Sequence, residues 1–97
     1  MKAEKKYEGE TLTITLEGRL DTTTAPELER EIGELNDVRE LVIDMKGLEY
    51  ISSAGLRVIL KAQKIMNLKG SMRLINVGES IMEVFEITGF SDILTIE

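Results

Sequence analysis

Asp21, Asp44 and the adjacent hydroxyls Ser52 and Ser53 are the residues whose types and placement could do chemistry in this chain. Two carboxylates brought to one place could run acid–base hydrolysis or hold a magnesium ion, although a pair of acids alone specifies little. A serine hydroxyl could act as a nucleophile, but only beside a base. The chain has no histidine, and Lys61 and Lys64 lie farther along the same predicted helix, away from its start. A Ser–Lys enzyme is therefore disfavoured. Cysteine is also absent, which removes disulfides, thiolate catalysis and the usual zinc or haem ligands. The glycines form neither a GxGxxG nor a Walker pattern. No cofactor or metal is expected. Each candidate also has a plainer reading: Asp21 as a turn or capping residue, Asp44 as a strand-end turn residue, and Ser53 as a helix N-cap. Capping and function are compatible at Ser53, because a helix N-terminus favours a phosphate.

These residues are useful only where the backbone gathers them. Thr11-Leu12-Thr13-Ile14-Thr15-Leu16-Glu17 alternates strictly and predicts a half-buried strand. Lys5–Glu8 with a turn at Gly9-Glu10 precedes it, giving an N-terminal hairpin. Thr24-Ala25-Pro26-Glu27 has the form of a capping box. Leu28, Ile32 and Leu35 then carry a helix to about Asn36. The apolar run from Glu40 to Met45 predicts a strand covered on both faces. A helix follows from Ser53 to about Leu68, stopped by Lys69-Gly70. Met72–Val77 reads as a strand, Glu79–Thr88 as a helix ended by Gly89, and Ile93–Ile96 as a last strand. Alternating strands and helices predict an α/β fold: a mixed, mostly parallel sheet with three to four helices. In such a sheet Asp21, Asp44, Ser52 and Ser53 would share the rim at the carboxyl ends of the strands. The expected core comprises Leu12, Ile14, Leu16, Val42, Ile43, Ile59, Ala62, Met66, Leu74, Ile75 and Phe85. Met45, Met66 and Met72 read as gap-fillers of that core.

The chain has 97 residues, one proline and no Gly/Ser-rich linker, so a single domain over residues 1–97 is expected. No internal repeat is visible. Twelve basic against eighteen acidic residues give a net charge of −6, which disfavours nucleic acid and anionic membranes as partners. No apolar run reaches the ~20 residues of a membrane span, and Met1–Lys6 lacks a signal-peptide core. A soluble, cytoplasmic protein is the expectation.

The helix after Ser53 carries a second signal. With Val58 at zero and ~100° per residue, Ile59, Ala62, Ile65 and Met66 fall within about −20° to +100°. Leu56 and Leu60 fall near 160° and 200° on the same wheel, off that stripe. Exposed single leucines are common. Leu56 and Leu60 beside Ser53, however, predict a small apolar patch for a partner protein, with Ser53 placed as a charge switch at its edge.

Gly18–Leu28, Leu41–Leu48 and Tyr50–Val58, with Ile51-Ser52-Ser53-Ala54-Gly55-Leu56 at their centre, resemble the STAS domain. The likeness is to the free-standing bacterial anti-sigma factor antagonists and runs from about Tyr7 to Ile96. Here Ser52 stands where that family has an acid, and Ala54 where it has a second hydroxyl. The resemblance implies a regulatory binding protein, not an enzyme. Unphosphorylated, it would bind an anti-sigma factor that is also a serine kinase; phosphorylation would release it, and a PP2C-type phosphatase would reset it. It also implies Ser53 as phosphoacceptor, Asp21, Asp44 and Ser52 around it, and Ser53, Gly55, Leu56 and Leu60 toward the partner. The alternative is a STAS scaffold of a transport or sensory complex without phosphorylation, and a small hydrolase using Asp21 and Asp44 is more distant.

Overall fold

The structure, a computed structural model, describes residues 1–33 and 35–97. The alternation in the first twenty residues folds as a hairpin: β1 (Lys2–Glu8) pairs antiparallel with β2 (Thr11–Leu20). Gly9 sits at the turn with φ +59, a conformation that costs glycine little. β3 (Glu40–Ile51) lies parallel to β2, and β4 (Ser71–Ile75) parallel to β3, giving the sheet order β1-β2-β3-β4. The crossovers are α1 (Ala25–Ile32) and α2 (Ser53–Asn67); α3 (Glu79–Thr88) follows β4.

The sheet has one dry face. Leu12, Ile14, Leu16 and Leu20 join Leu41, Ile43, Met72 and Leu74 there, all essentially inaccessible to water. Leu28 and Ile32 of α1, Ile59 and Met66 of α2, and Ile81 and Phe85 of α3 belong to the same apolar cluster. The opposite face carries Thr11, Thr13 and Thr15 between charged rows, all only partly buried or exposed. Met45, Met66 and Met72 are buried as core fillers. The expected core residues are buried except Ile75, which is half-buried because its register with Asp44 puts it on the polar face. Val42 is on that face too, yet its partners Thr13 and Arg73 cover it.

Two boundaries differ most from expectation. α1 stops at Ile32, four residues short of Asn36, because Gly33 turns left-handed at φ +57 and donates to the Glu29 carbonyl. Leu35 remains buried without being helical. β3 runs on to Ile51 rather than ending at Met45. Thr15 pairs with Asp44 but Glu17 with Gly47, and Gly18 pairs with Leu48 but Arg19 with Tyr50. β3 thus bulges twice, and the bulges erase the period-two pattern that would mark a strand.

The last strand does not form. A 3-10 turn at Phe90–Asp92 is prolonged by the Leu94 amide donating to Phe90, which uses up the segment. What remains is a single bridge between Leu74 and Ile96, with Glu97 donating back to the Leu74 carbonyl. Arg73 clasps this end, its guanidinium 3.1 Å from both Glu40 and Glu97. Those carboxylates raise its pKa above the ordinary arginine value. Among the described residues, no helix is long and apolar enough to cross a membrane.

Candidate functional site

β2 and β3 end side by side, and their ends build the start of α2. Leu20 pairs with Ile51, and the next amide, that of Ser52, donates to the Leu20 carbonyl at 2.8 Å. Ser52 keeps an extended backbone (φ −96, ψ 174), and its Oγ accepts from the Gly55 amide at 3.3 Å. Ser52 is therefore the N-cap, not Ser53 as the plainer reading had it. With two adjacent hydroxyls, the end of β3 decides which one caps. Ser53 becomes the first helical residue, exposed, and its hydroxyl has no protein hydrogen-bond partner among the described residues. No acid lies in the first turn of α2, so the positive end of the helix dipole is left uncompensated beside Ser53.

Gly55 is set by packing. A Cβ built there would stand 2.6 Å from Leu20 Cγ and 3.1 Å from Ile51 Cγ1. The helix can approach the strand ends this closely only without a side chain at that position. Gly55 is thus buried against its own fold instead of facing a partner.

Leu56 is also buried, at 5% exposure, which corrects its expected place in a surface patch. α2 buries Val58, Ala62, Gly55, Met66, Ile59, Gln63 and Leu56, which on the helical wheel is an arc of about 160°. The helix rests on β3 with α1 along one flank and β4 along the other, so its apolar band is wider than a single flat contact implies. Leu60 is half-buried. The outward stripe of α2 reads Ser53, Arg57, Leu60, Lys64, at intervals of four, three and four residues. Arg57 was missed as a neighbour of Ser53, although its spacing of four is legible on the helix.

Asp21 is built into the entry to α1. Its Oδ1 accepts from Thr23 Oγ1 (2.7 Å) and from the amides of Thr23 (3.0 Å) and Thr24 (3.2 Å). The Thr23 hydroxyl above all, helped by the Thr23 and Thr24 amides, holds its pKa below the ordinary carboxylate value against the opposing effect of burial. The capping box does not form. Thr24 Oγ1 instead donates to the Arg19 carbonyl and accepts from the Asp21 amide, both at 2.8 Å, and makes no cap bond to the helix. Arg19 lies over the Tyr50 ring at 4.2 Å, with its Nε 3.9 Å from Asp21.

Asp44 does not join this rim. It pairs with Thr15 in mid-strand, six residues before Asp21 along β2, about 20 Å at the rise of a strand. Its Oδ1 accepts from Asn76 Nδ2 and the Lys46 amide, both at 3.0 Å. It fastens the turn after β4, where Asn76 takes φ +55. The rise of the strand separates the two acids, so they share neither a proton nor a metal. Among the described residues no cluster of three or more potential metal ligands exists. The groove between α1 and α2, bordered by Ile32, Val58 and Ala62, offers only about 50 Å³, too little for a metabolite. The adjoining ends of β2 and β3 thus present an exposed serine at the capped start of α2.

Comparisons with known proteins agree with this fold. The STAS domain family model matches residues 2–97. BtrV of Bordetella bronchiseptica, assigned as an anti-sigma factor antagonist, is 38% identical over 88 residues, covering 88% of this chain and 76% of that protein. The anti-sigma-B factor antagonist of Bacillus subtilis is 31% identical over 87 residues, covering 88% and 80%. The solved structure of the Bacillus cell fate determinant SpoIIAA in its phosphorylated form superposes with a TM-score of 0.78 at 19% identity, over 99% of this chain and 91% of that one.

Proposed function

The chain belongs to the STAS domain family, and from that premise we propose that it is an anti-sigma factor antagonist working by partner switching. Proteins of this kind are regulators rather than enzymes, and their partner is an anti-sigma factor. In the unphosphorylated state the protein binds an anti-sigma factor with serine-kinase activity and so frees the sigma factor in the cytoplasm. The kinase passes the γ-phosphoryl group of ATP to the Ser53 Oγ; ADP leaves, and the hydroxyl proton goes to the kinase's base. The phosphorylated protein is released, and a PP2C-type phosphatase hydrolyses the phosphoester to reset it.

One observation carries this reading: the Ser53 hydroxyl is exposed and unengaged at the first position of α2, while its neighbour Ser52 is occupied as the cap. A dianion there is compatible with the helix N-terminus, so the fold tolerates it. A binding surface made for a hydroxyl does not, since the charge must be desolvated against the partner. Leu60, flanked by Arg57 and Lys64, supplies the contact beyond Ser53.

The test incubates the protein with serine-kinase anti-sigma factors and ATP, maps the phosphate by mass spectrometry and measures binding by calorimetry. Phosphate on Ser53 and loss of binding are expected. Phosphate on Ser52, or tight binding by S53D, would overturn the mechanism. Binding without any phosphorylation would point to a STAS scaffold instead.

A further inference from the structure

We propose that Arg57 clasps the phosphate on Ser53 from within the same helix, so that the switch carries its own counter-charge. The inference rests on the phosphoserine reading above and deepens it. Ser53 and Arg57 are four residues apart in α2 and both are exposed. Residues at this spacing have Cβ atoms about 5–6 Å apart on one face. Helical side chains lean toward the N-terminus, so Arg57 extends toward Ser53 and not away from it.

Arg57 is also uncommitted. Among the described residues it makes no ion pair and no side-chain hydrogen bond, although most other cations near the rim are engaged. Arg19 is held over Tyr50 and near Asp21, and Lys61 pairs with Glu29 at 3.2 Å. Lys64 is eleven residues beyond Ser53, about 16 Å along the helix axis. A phosphate with three acceptor oxygens matches the planar guanidinium fork, and the pair forms without moving the backbone. The unmodified hydroxyl offers Arg57 no charge. The contact is therefore specific to the phosphorylated state.

The test places phosphoserine at position 53 during translation, so it does not depend on finding the kinase. Its second ionisation is then followed by 31P NMR at low salt in wild type, R57Q, R57K and K61Q, each checked for an unchanged melting temperature. An attractive cation lowers the pKa of the dianion. R57Q should therefore raise that pKa by roughly 0.2–0.4 of a pH unit or more, on the scale of a helical charge pair. R57K should recover part of the difference, K61Q should leave it unchanged, and added salt should shrink it. Identical titrations of wild type and R57Q overturn the inference, even if a kinase is found to modify Ser53. A failed kinase assay with a measurable R57Q shift overturns only the partner-switching reading and leaves the ion pair standing.

Discussion

The backbone amide of Ser52 donates to the carbonyl of Leu20 at 2.8 Å, one residue past the last paired rung of β2 and β3. This bond fixes where α2 begins, because the residue it holds is the one whose hydroxyl caps the helix. On the other strand, Asp21 directly follows Leu20, and its carbonyl accepts from the Ala25 amide at the start of α1. Two helices are thus launched from neighbouring strand ends. Ser53 is presented from a base tied by backbone hydrogen bonds to both strand ends.

Gly55→Ala tests that base. The added methyl meets Leu20, itself inaccessible to water, and overpacking of this kind costs about 1–3 kcal/mol. Denaturant unfolding should show a loss of that order. Combined with Leu20→Ala, it should cost less than the sum of the two single changes. Gly78→Ala, where a Cβ meets nothing within 4 Å, should change stability far less.

Leu56→Ala should lose about 2–5 kcal/mol, the range of a buried leucine. Leu60→Ala, at a half-buried site, should lose clearly less and weaken partner binding more than it weakens the fold. Calorimetric unfolding paired with binding titration separates the two. Equal stability losses would remove the distinction between core and surface along α2.

Ser52 and Ser53 should divide stability from function. Ser52→Ala removes a cap acceptor and should cost about 0.5–2 kcal/mol. Ser53→Ala should keep the melting temperature and bind the partner constitutively. Ser53→Asp should also keep it, but lose binding by about a hundredfold, equivalent to roughly 2.7 kcal/mol.

Asp21 predicts an acid-side effect. Its folded pKa lies below the ordinary 3.8, so between the two values the unfolded chain binds more protons than the folded one. Its contribution is complete above about 3.8 and is lost as pH falls through the lower, folded value. Carbon-detected NMR should find its midpoint below 3.8, and Asp21→Asn should flatten the decline of stability in that window.

Legibility in the sequence followed how much one face of an element differs from the other. β2 could be read at Leu12, Ile14 and Leu16 because its two faces meet core and water. The far half of β3 could not, since its bulges bring Lys46, Gly47, Glu49 and Tyr50 out of period. That hidden half also misplaced Asp44, which reads as a strand-end acid but sits seven residues before the end. Leu56 escaped because a wheel drawn for one contact omits the second flank of α2. Ser53 carried two readings, helix cap and phosphoacceptor; the cap falls one residue earlier, on Ser52, because the sequence does not show where β3 ends.

The clasp of Arg73 on Glu40 and Glu97 has a consequence for how these molecules behave in a crowd. By holding residues 95–97 against Leu74, it fills hydrogen-bonding positions that an outer strand would otherwise offer to a stranger. The opposite border, β1, is guarded differently, by a row of lysines and glutamates from Lys2 to Glu8. Both margins of the sheet are therefore guarded against strand exchange, one by a covering segment and one by charge, and the folded chain is protected from sticking to itself.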